Sequence, residues 1–264
     1  METTKHYYFS DLIVMLERSM RHIFRSMDTI ITVTLMPIAF MLLFVYVFGG
    51  AIQTGTENYV NYLLPGILLI AVASGISYTA YRLFIDLQKG IFERFHSMPI
   101  AHSTVLWGHV LTSLVANAIS VVIIILVALL IGFRSPAGLI PWLTVAAILL
   151  LFTLALTWIA VIAGLSAKSV DGASAFSYPI IFLPFISSAF VPTDTMPAVV
   201  RIFAENQPVT SIVESIRALL SNQPAGPELW QAIIWCVGIM FVAYLFAMSV
   251  YKNERKMLNI YLVN

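Results

Sequence analysis

The chain has 264 residues, of which 60% are hydrophobic and only 10% are Asp, Glu, Lys or Arg, with a formal net charge of +1. An ordinary soluble domain is about 45–50% apolar and about 25% charged, so an excess of this size cannot be hidden in one core, and with a mean hydropathy of +0.92 it excludes a soluble enzyme. The charge balance excludes a strongly basic nucleic-acid binder, and the single cysteine, Cys236, excludes an internal disulfide or a cysteine metal site.

Six windows carry no Asp, Glu, Lys or Arg: residues 29–56, 58–81, 103–133, 135–167, 172–193 and 229–251. They are 22 to 33 residues long and together hold 161 residues. A helix needs about 20 apolar residues to cross the hydrocarbon layer, so each window predicts one crossing. Alternating strand segments of about 10 residues, as in a membrane β-barrel, are absent from these windows. The first window follows 28 largely polar residues and is longer than a signal-peptide core. The expected fold is therefore an all-α integral membrane protein, a single transmembrane domain over residues 1–264. Its expected spans are about 29–50, 60–82, 103–131, 139–166, 173–191 and 229–251.

An even number of spans puts both termini on one side. Residues 1–28, 82–102, 167–171 and 252–264 then hold 11 of the 14 Lys and Arg, against Arg134, Arg201 and Arg217 on the other side. Positive charge in short loops stays cytoplasmic, so both termini are expected inside. Residues 7–27 place Leu12, Met15, Leu16, Ile23, Phe24 and Met27 near helical spacing, with Glu17, Arg18, Arg21 and Arg25 elsewhere. That pattern predicts an interfacial helix on the inner leaflet, or alternatively a helix packed on the bundle.

The cytoplasmic stretch after the second span interleaves Asp86, Lys89, Glu93, Arg94 and His96 with Phe84, Ile85, Leu87, Ile91, Phe92 and Phe95, and Pro99 ends it. It reads as an amphipathic helix offering an apolar and charged plug to a partner, or as a linker resting on lipid. Gly90 breaks this helix or lets a partner backbone approach closely. The external stretch from Pro192 to Glu228 is 37 residues long and strongly amphipathic, with Pro208 dividing it. It predicts two short helices at about 193–222 that dip into the outer membrane surface, where protein or water must cover their backbone.

Catalytic and energy-coupling motifs are missing. The sequence has no G-x-x-x-x-G-K-[ST] phosphate cradle, no H-E-x-x-H and no G-x-S-x-G. Its histidines are His6, His22, His96, His102 and His109, and they do not stand at zinc-ligand spacing; no metal site is expected. The six windows hold no Asp, Glu, Lys or Arg of the kind that ion-coupled carriers use as relays. Work on a substrate must then draw its energy from another chain. The alternative from a different class is an ion-coupled carrier or channel acting alone.

Two motifs resemble a known family. The segment DLQKGIFERFHSMPIAHSTVLWGHVL is similar to the signature of type-2 ABC exporter permeases, matching at Asp86, Gly90, Glu93, Arg94, Pro99 and Gly108. The usual Gly-Thr is here Gly90-Ile91. The segment SSAFVPTDTMPAVVRIFAENQPVTSIVESIRALL resembles the external region of daunorubicin-resistance-type export permeases. It matches at Phe190, Val191, Pro192, Met196, Pro197, Asn206, Pro208, Val209, Thr210, Arg217 and Ala218, with Gln207 interrupting the Asn-Pro pair.

The resemblance implies a permease subunit of a bacterial cell-membrane exporter that moves a hydrophobic drug, antibiotic or peptide outward. The nearest alternative cargo is a lipid-linked glycan or a lipid. It further implies two copies of a separate ABC ATPase, which would hold ATP and Mg while this chain binds no cofactor. A second permease subunit, in a homodimer, would complete the pathway. Residues 84–99 would be the coupling helix, with Asp86, Lys89, Gly90, Glu93, Arg94, His96 and Pro99 meeting the ATPase.

Glu214 and Arg217, at i and i+3, are expected either to pair and hold the external helices, with Pro192 and Pro208 shaping them, or to form a wetted helix face. Candidate pathway residues are Ser74, Ser77, Tyr78, Ser174, Ser177 and Tyr178, inside spans two and five. Each is also able to hydrogen-bond a neighbouring helix instead.

Overall fold

The computed structural model describes residues 27–50, 58–91 and 103–263. The expected interfacial helix at 7–27 lies outside these residues except for Met27, as do Glu93, Arg94, His96 and Pro99. Among the described residues the chain is helical, in the order α1 (Met27–Leu43), α2 (Tyr59–Gln88), α3 (Ser103–Ile131), α4 (Leu139–Ser166), α5 (Val170–Ala175), α6 (Ser177–Phe182), α7 (Ala198–Asn206), α8 (Pro208–Leu220) and α9 (Glu228–Val263).

Four of these are long and apolar enough to cross a membrane: α2, α3 from Leu106, α4, and α9 as far as Tyr251. The two remaining charge-free windows do not form uninterrupted helices of that length. Residues 33–48 make a shorter apolar helix in which α1, with Pro37 inside it, passes into a π-helical turn at Phe44–Phe48. The window at 172–193 folds as α5, α6, a 3₁₀ turn at Leu183–Ile186 and irregular backbone. Pro184 stands at the start of that 3₁₀ turn, and neither it nor Pro179 has an N–H to continue an α-helical ladder. The segment expected to span at 173–191 is thus built of short helical pieces rather than one continuous helix.

Helix α2 is the axis of the bundle. Its 30 residues are about 45 Å long, and 78% of its most apolar stretch is buried, against 17% in α9. It packs against α1, α3, α4, α5, α6 and α8, while α4 also lies along α9. Small residues set the closest crossings. A Cβ on Gly164 of α4 would stand 2.8 Å from the Ala80 carbonyl oxygen of α2, so only glycine allows these backbones to meet.

A polar cluster ties α2, α3 and α4 at one level. The Thr79 hydroxyl donates to Ser113 Oγ at 2.9 Å, and Ser113 Oγ lies 3.2 Å from Thr157 Oγ1. Asn117 Nδ2 donates back to the Ser113 carbonyl at 2.9 Å. With no water in the hydrocarbon layer, such groups must find protein partners, and each interhelical bond contributes about 0.6 kcal/mol on average.

The Gly164 crossing generates a paired prediction. Gly164→Ala forces the α2–α4 backbones apart and should destabilise the folded protein by about 1–3 kcal/mol. Gly238→Ala on α9, where nothing lies within 4 Å of the added methyl, should leave stability unchanged. Thermal unfolding of the two purified variants in the same detergent checks the difference; equal midpoints would contradict the crossing.

Candidate functional site

A cleft runs along the side of α2. It has a volume of about 560 Å³ and is lined by α1 (Val33, Met36, Phe40), α2 (Ile70, Ser74, Ser77, Tyr78, Tyr81) and the broken fifth element (Ser174, Ser177, Tyr178, Ile181, Phe182, Phe185). All six candidate pathway residues, Ser74, Ser77, Tyr78, Ser174, Ser177 and Tyr178, line this one space. Helical spacing explains α2's share, because positions 70, 74, 77, 78 and 81 recur on one face.

Three of the four serine hydroxyls are engaged within the protein. Ser74 Oγ donates to the Ile70 carbonyl at 2.9 Å, while Ser77 and Ser177 both donate to the Ser174 carbonyl, at 3.4 and 2.8 Å. Their donors are therefore spent on backbone, and each oxygen keeps acceptor capacity toward the cleft. Among the described residues no Asp, Glu, Lys, Arg or His lines the wall. Sequence reasoning missed Met36, Phe40, Phe182 and Phe185, because large apolar residues in an apolar window carry no distinguishing signal. The ring of Phe185 meets those of Phe40, Phe44, Phe182 and Phe190 at centroid distances between 5.0 and 6.2 Å, which makes this wall rigid and aromatic.

Above the cleft, α7 and α8 cover the end of the bundle that carries Tyr59 and Tyr62. The anchor is Arg217. Its Nη1 meets Glu214 Oε1 at 2.6 Å, its Nη2 donates to the Ser188 carbonyl at 2.7 Å and to the Tyr62 carbonyl at 3.1 Å, and its Nε reaches Tyr62 at 3.3 Å. The guanidinium also lies 3.7 Å from the centroid of the Tyr62 ring. The Arg217 side chain is 14% exposed and that of Glu214 38%. Glu214 and Arg217 thus form the expected pair, and the arginine reaches through the pair to α2 and to the end of the fifth element.

Gln207, which interrupts the Asn-Pro pair, is 4% exposed and donates from Nε2 to the carbonyls of Ile186 and Leu183. It is also the residue between α7 and α8, with Pro208 at the first position of α8, where its missing N–H costs nothing. Pro192 starts the 3₁₀ turn Thr193–Thr195, whose last N–H donates to the Pro192 carbonyl at 3.2 Å.

On the opposite end of α2, residues 84–88 continue the long helix rather than opening a separate one. Lys89 is exposed at its C-cap, and Gly90 adopts φ +64° while donating its N–H to the Leu87 carbonyl at 3.0 Å. That left-handed turn is the ordinary glycine ending of a helix. Asp86 is half-buried, with Oδ2 at 3.3 Å from His109 Nε2 on α3. The partnership joins the helices on either side of the loop and escapes sequence reading because 23 residues separate its members.

Long apolar helices packed around a charge-free cleft define a multi-pass membrane protein. The chain belongs to the ABC-2 type transporter family, which it matches over residues 10–221. It is 27% identical over 245 residues to the daunorubicin resistance ABC transporter permease protein DrrB1 of Streptomyces coeruleorubidus, covering 90% of this chain and 87% of that one. It is 24% identical over 222 residues to the probable doxorubicin resistance ABC transporter permease protein DrrC of Mycobacterium tuberculosis, covering 83% and 79%. The putative transport permease ycf38 of Cyanophora paradoxa is 25% identical over 227 residues, covering 83% and 77%.

The anchor geometry makes a specific prediction. Arg217→Ala leaves the Tyr62 and Ser188 carbonyls and the Glu214 carboxylate without their shared donor, and should cost about 2–5 kcal/mol. Glu214→Ala removes only a partly wetted partner and should cost about 1 kcal/mol or less. Chemical denaturation of both variants, followed by limited proteolysis of the 198–220 region, measures this. A loss as large for Glu214→Ala as for Arg217→Ala would contradict the anchor.

Proposed function

We propose that this chain is the transmembrane subunit of an ATP-driven exporter, moving a hydrophobic or amphiphilic molecule such as a drug, antibiotic or peptide out of the cell. The observation that carries the reading is the convergence of four serines and three tyrosines on one cleft whose other walls are apolar. Such a space suits a cargo that is itself apolar with a few hydrogen-bonding groups. Energy would come from two copies of a separate ATPase subunit, which bind ATP and Mg. Two permease chains, as a homodimer, would enclose the pathway. In this reading residues 29–50 and 173–191 complete six crossings, and both termini are cytoplasmic in a bacterial cell membrane. The drug-resistance names of the relatives support a drug-like cargo; the apolar wall is equally suited to a lipid or lipid-linked glycan.

The ATPase would bear on the turn that ends α2. Asp86, Lys89 and Gly90 lie there, and Glu93, Arg94, His96 and Pro99 follow in sequence. When the ATPase pair closes, a push on this turn passes directly into α2, because the helix runs unbroken from the turn to the cleft wall.

Co-expression with a separate ABC ATPase subunit and reconstitution into liposomes tests the proposal. Amphiphilic drugs should stimulate ATP turnover; stimulation by a glycolipid alone would favour the second cargo class, and flux without any ATPase would overturn the reading in favour of a carrier or channel. Gly90→Pro and Glu93→Ala should abolish coupled export while the protein still inserts. Proline fixes φ near −65° and cannot adopt the +64° of Gly90. Normal export in both variants would contradict the coupling role.

A further inference from the structure

At the foot of the cleft stands a cation with no carboxylate partner among the described residues. Arg82 lies one helical turn beyond Tyr78 on α2, and its guanidinium carbon is 5.9 Å from the centroid of the Tyr78 ring, which forms part of the cleft wall. Tyr78 in turn stacks on Tyr81, another lining residue, with centroids 5.9 Å apart. Arg82 is half-buried. Asp86, one turn further along α2, is turned to His109 at 3.3 Å. A guanidinium held beside aromatic rings has lost part of its hydration, and an anion at this point would restore the interaction.

The level of Arg82 says what kind of anion. It lies six residues before Gln88, about 9 Å from the end of a helix about 45 Å long. A helix of this length centred on a hydrocarbon layer about 30 Å thick brings Arg82 to within about 2 Å of the boundary on the side of the Gly90 turn, where its long side chain reaches headgroup level. From there the cleft rises about 16 Å along α2 between Tyr81 and Ile70, walled by Val33, Met36, Phe40 and Ile181. It opens sideways: Tyr178 is 60% exposed and Phe182 61%.

We propose that the cleft takes an anionic lipid from the adjoining leaflet, with its acidic headgroup at Arg82 and an acyl chain lying along the apolar wall. The proposal rests on the reading of the cleft as the cargo path and narrows the cargo to negatively charged amphiphiles. An arginine that merely extends its head to the membrane surface binds headgroups without placing a chain in the cleft, so the position of the chain is the deciding observable.

The test uses the full chain in phosphatidylcholine nanodiscs, doped with either phosphatidylglycerol or phosphatidylcholine carrying a diazirine in mid-chain, with photolabelled peptides mapped afterwards. Phosphatidylglycerol should label the peptides spanning 70–81 and 174–185 about tenfold more than phosphatidylcholine does, the size expected of one charge-assisted contact. Arg82→Gln should erase the preference and Arg82→Lys should retain most of it, with both variants eluting as the parent protein does. Equal labelling by the two probes, a preference that survives Arg82→Gln, or labelling confined to other helices would overturn the proposal. Displacement of the lipid label by an equal concentration of hexyl phosphate would also overturn it, in favour of a free amphiphile. No ATPase is present in this assay, so its outcome is independent of whether the chain transports.

Discussion

The described structure hangs on one constraint: the broken fifth element must be held against α2 without the continuous backbone ladder of a helix. Its carbonyls at Leu183, Ile186, Ser188 and Phe190 are satisfied instead by side chains from elsewhere. Gln207 serves the first two, Arg217 the third, and the Tyr59 hydroxyl donates to the fourth at 3.0 Å. Unsatisfied backbone in a membrane costs several kcal/mol per group, so these contacts decide whether the element exists at all. Helices α7 and α8 are therefore part of the bundle's hydrogen bonding as well as its cover.

This arrangement gives the cleft a defined geometry. One wall is the long, rigid α2; the other is a segment whose prolines prevent it from closing into a straight helix against α1. The gap left between them is the space of about 560 Å³ in which the serines and tyrosines converge. Helix α2 runs without a break from the Gly90 turn, along the cleft wall, to Tyr62, where Arg217 meets it.

Charge was the most legible property of the sequence. The spacing of Glu214 and Arg217 offered a pair as one of two readings, and the structure forms it; the polar residues of two otherwise apolar windows stood out as candidates because polarity in an apolar background is costly and hence informative. The two amphipathic runs divided by Pro208 correspond to α7 and α8. The fifth window was less transparent. Its hydropathy resembles a span, yet Pro179 and Pro184 break it, and hydropathy is blind to backbone donors. The role of Gln207 was hidden because its partners lie more than 20 residues away in sequence. For Ser74, Ser77 and Ser177 the sequence left a pathway role and a bond to a neighbouring helix both open; Ser77 does bond across to the Ser174 carbonyl, whereas Ser74 and Ser177 bond locally.

Whether the cleft is the path is open to a direct measurement. Ser74 faces it from α2 and bonds only to its own helix, at the Ile70 carbonyl, so Ser74→Phe fills the space without cutting an interhelical bond. The decisive measurement is cargo flux into inverted proteoliposomes containing Ser74→Phe and its ATPase, alongside basal ATP turnover and thermal unfolding. The account requires that flux fall at least about tenfold while folding and basal turnover stay within twofold of the parent. Undiminished flux in a folded Ser74→Phe protein would place the path elsewhere.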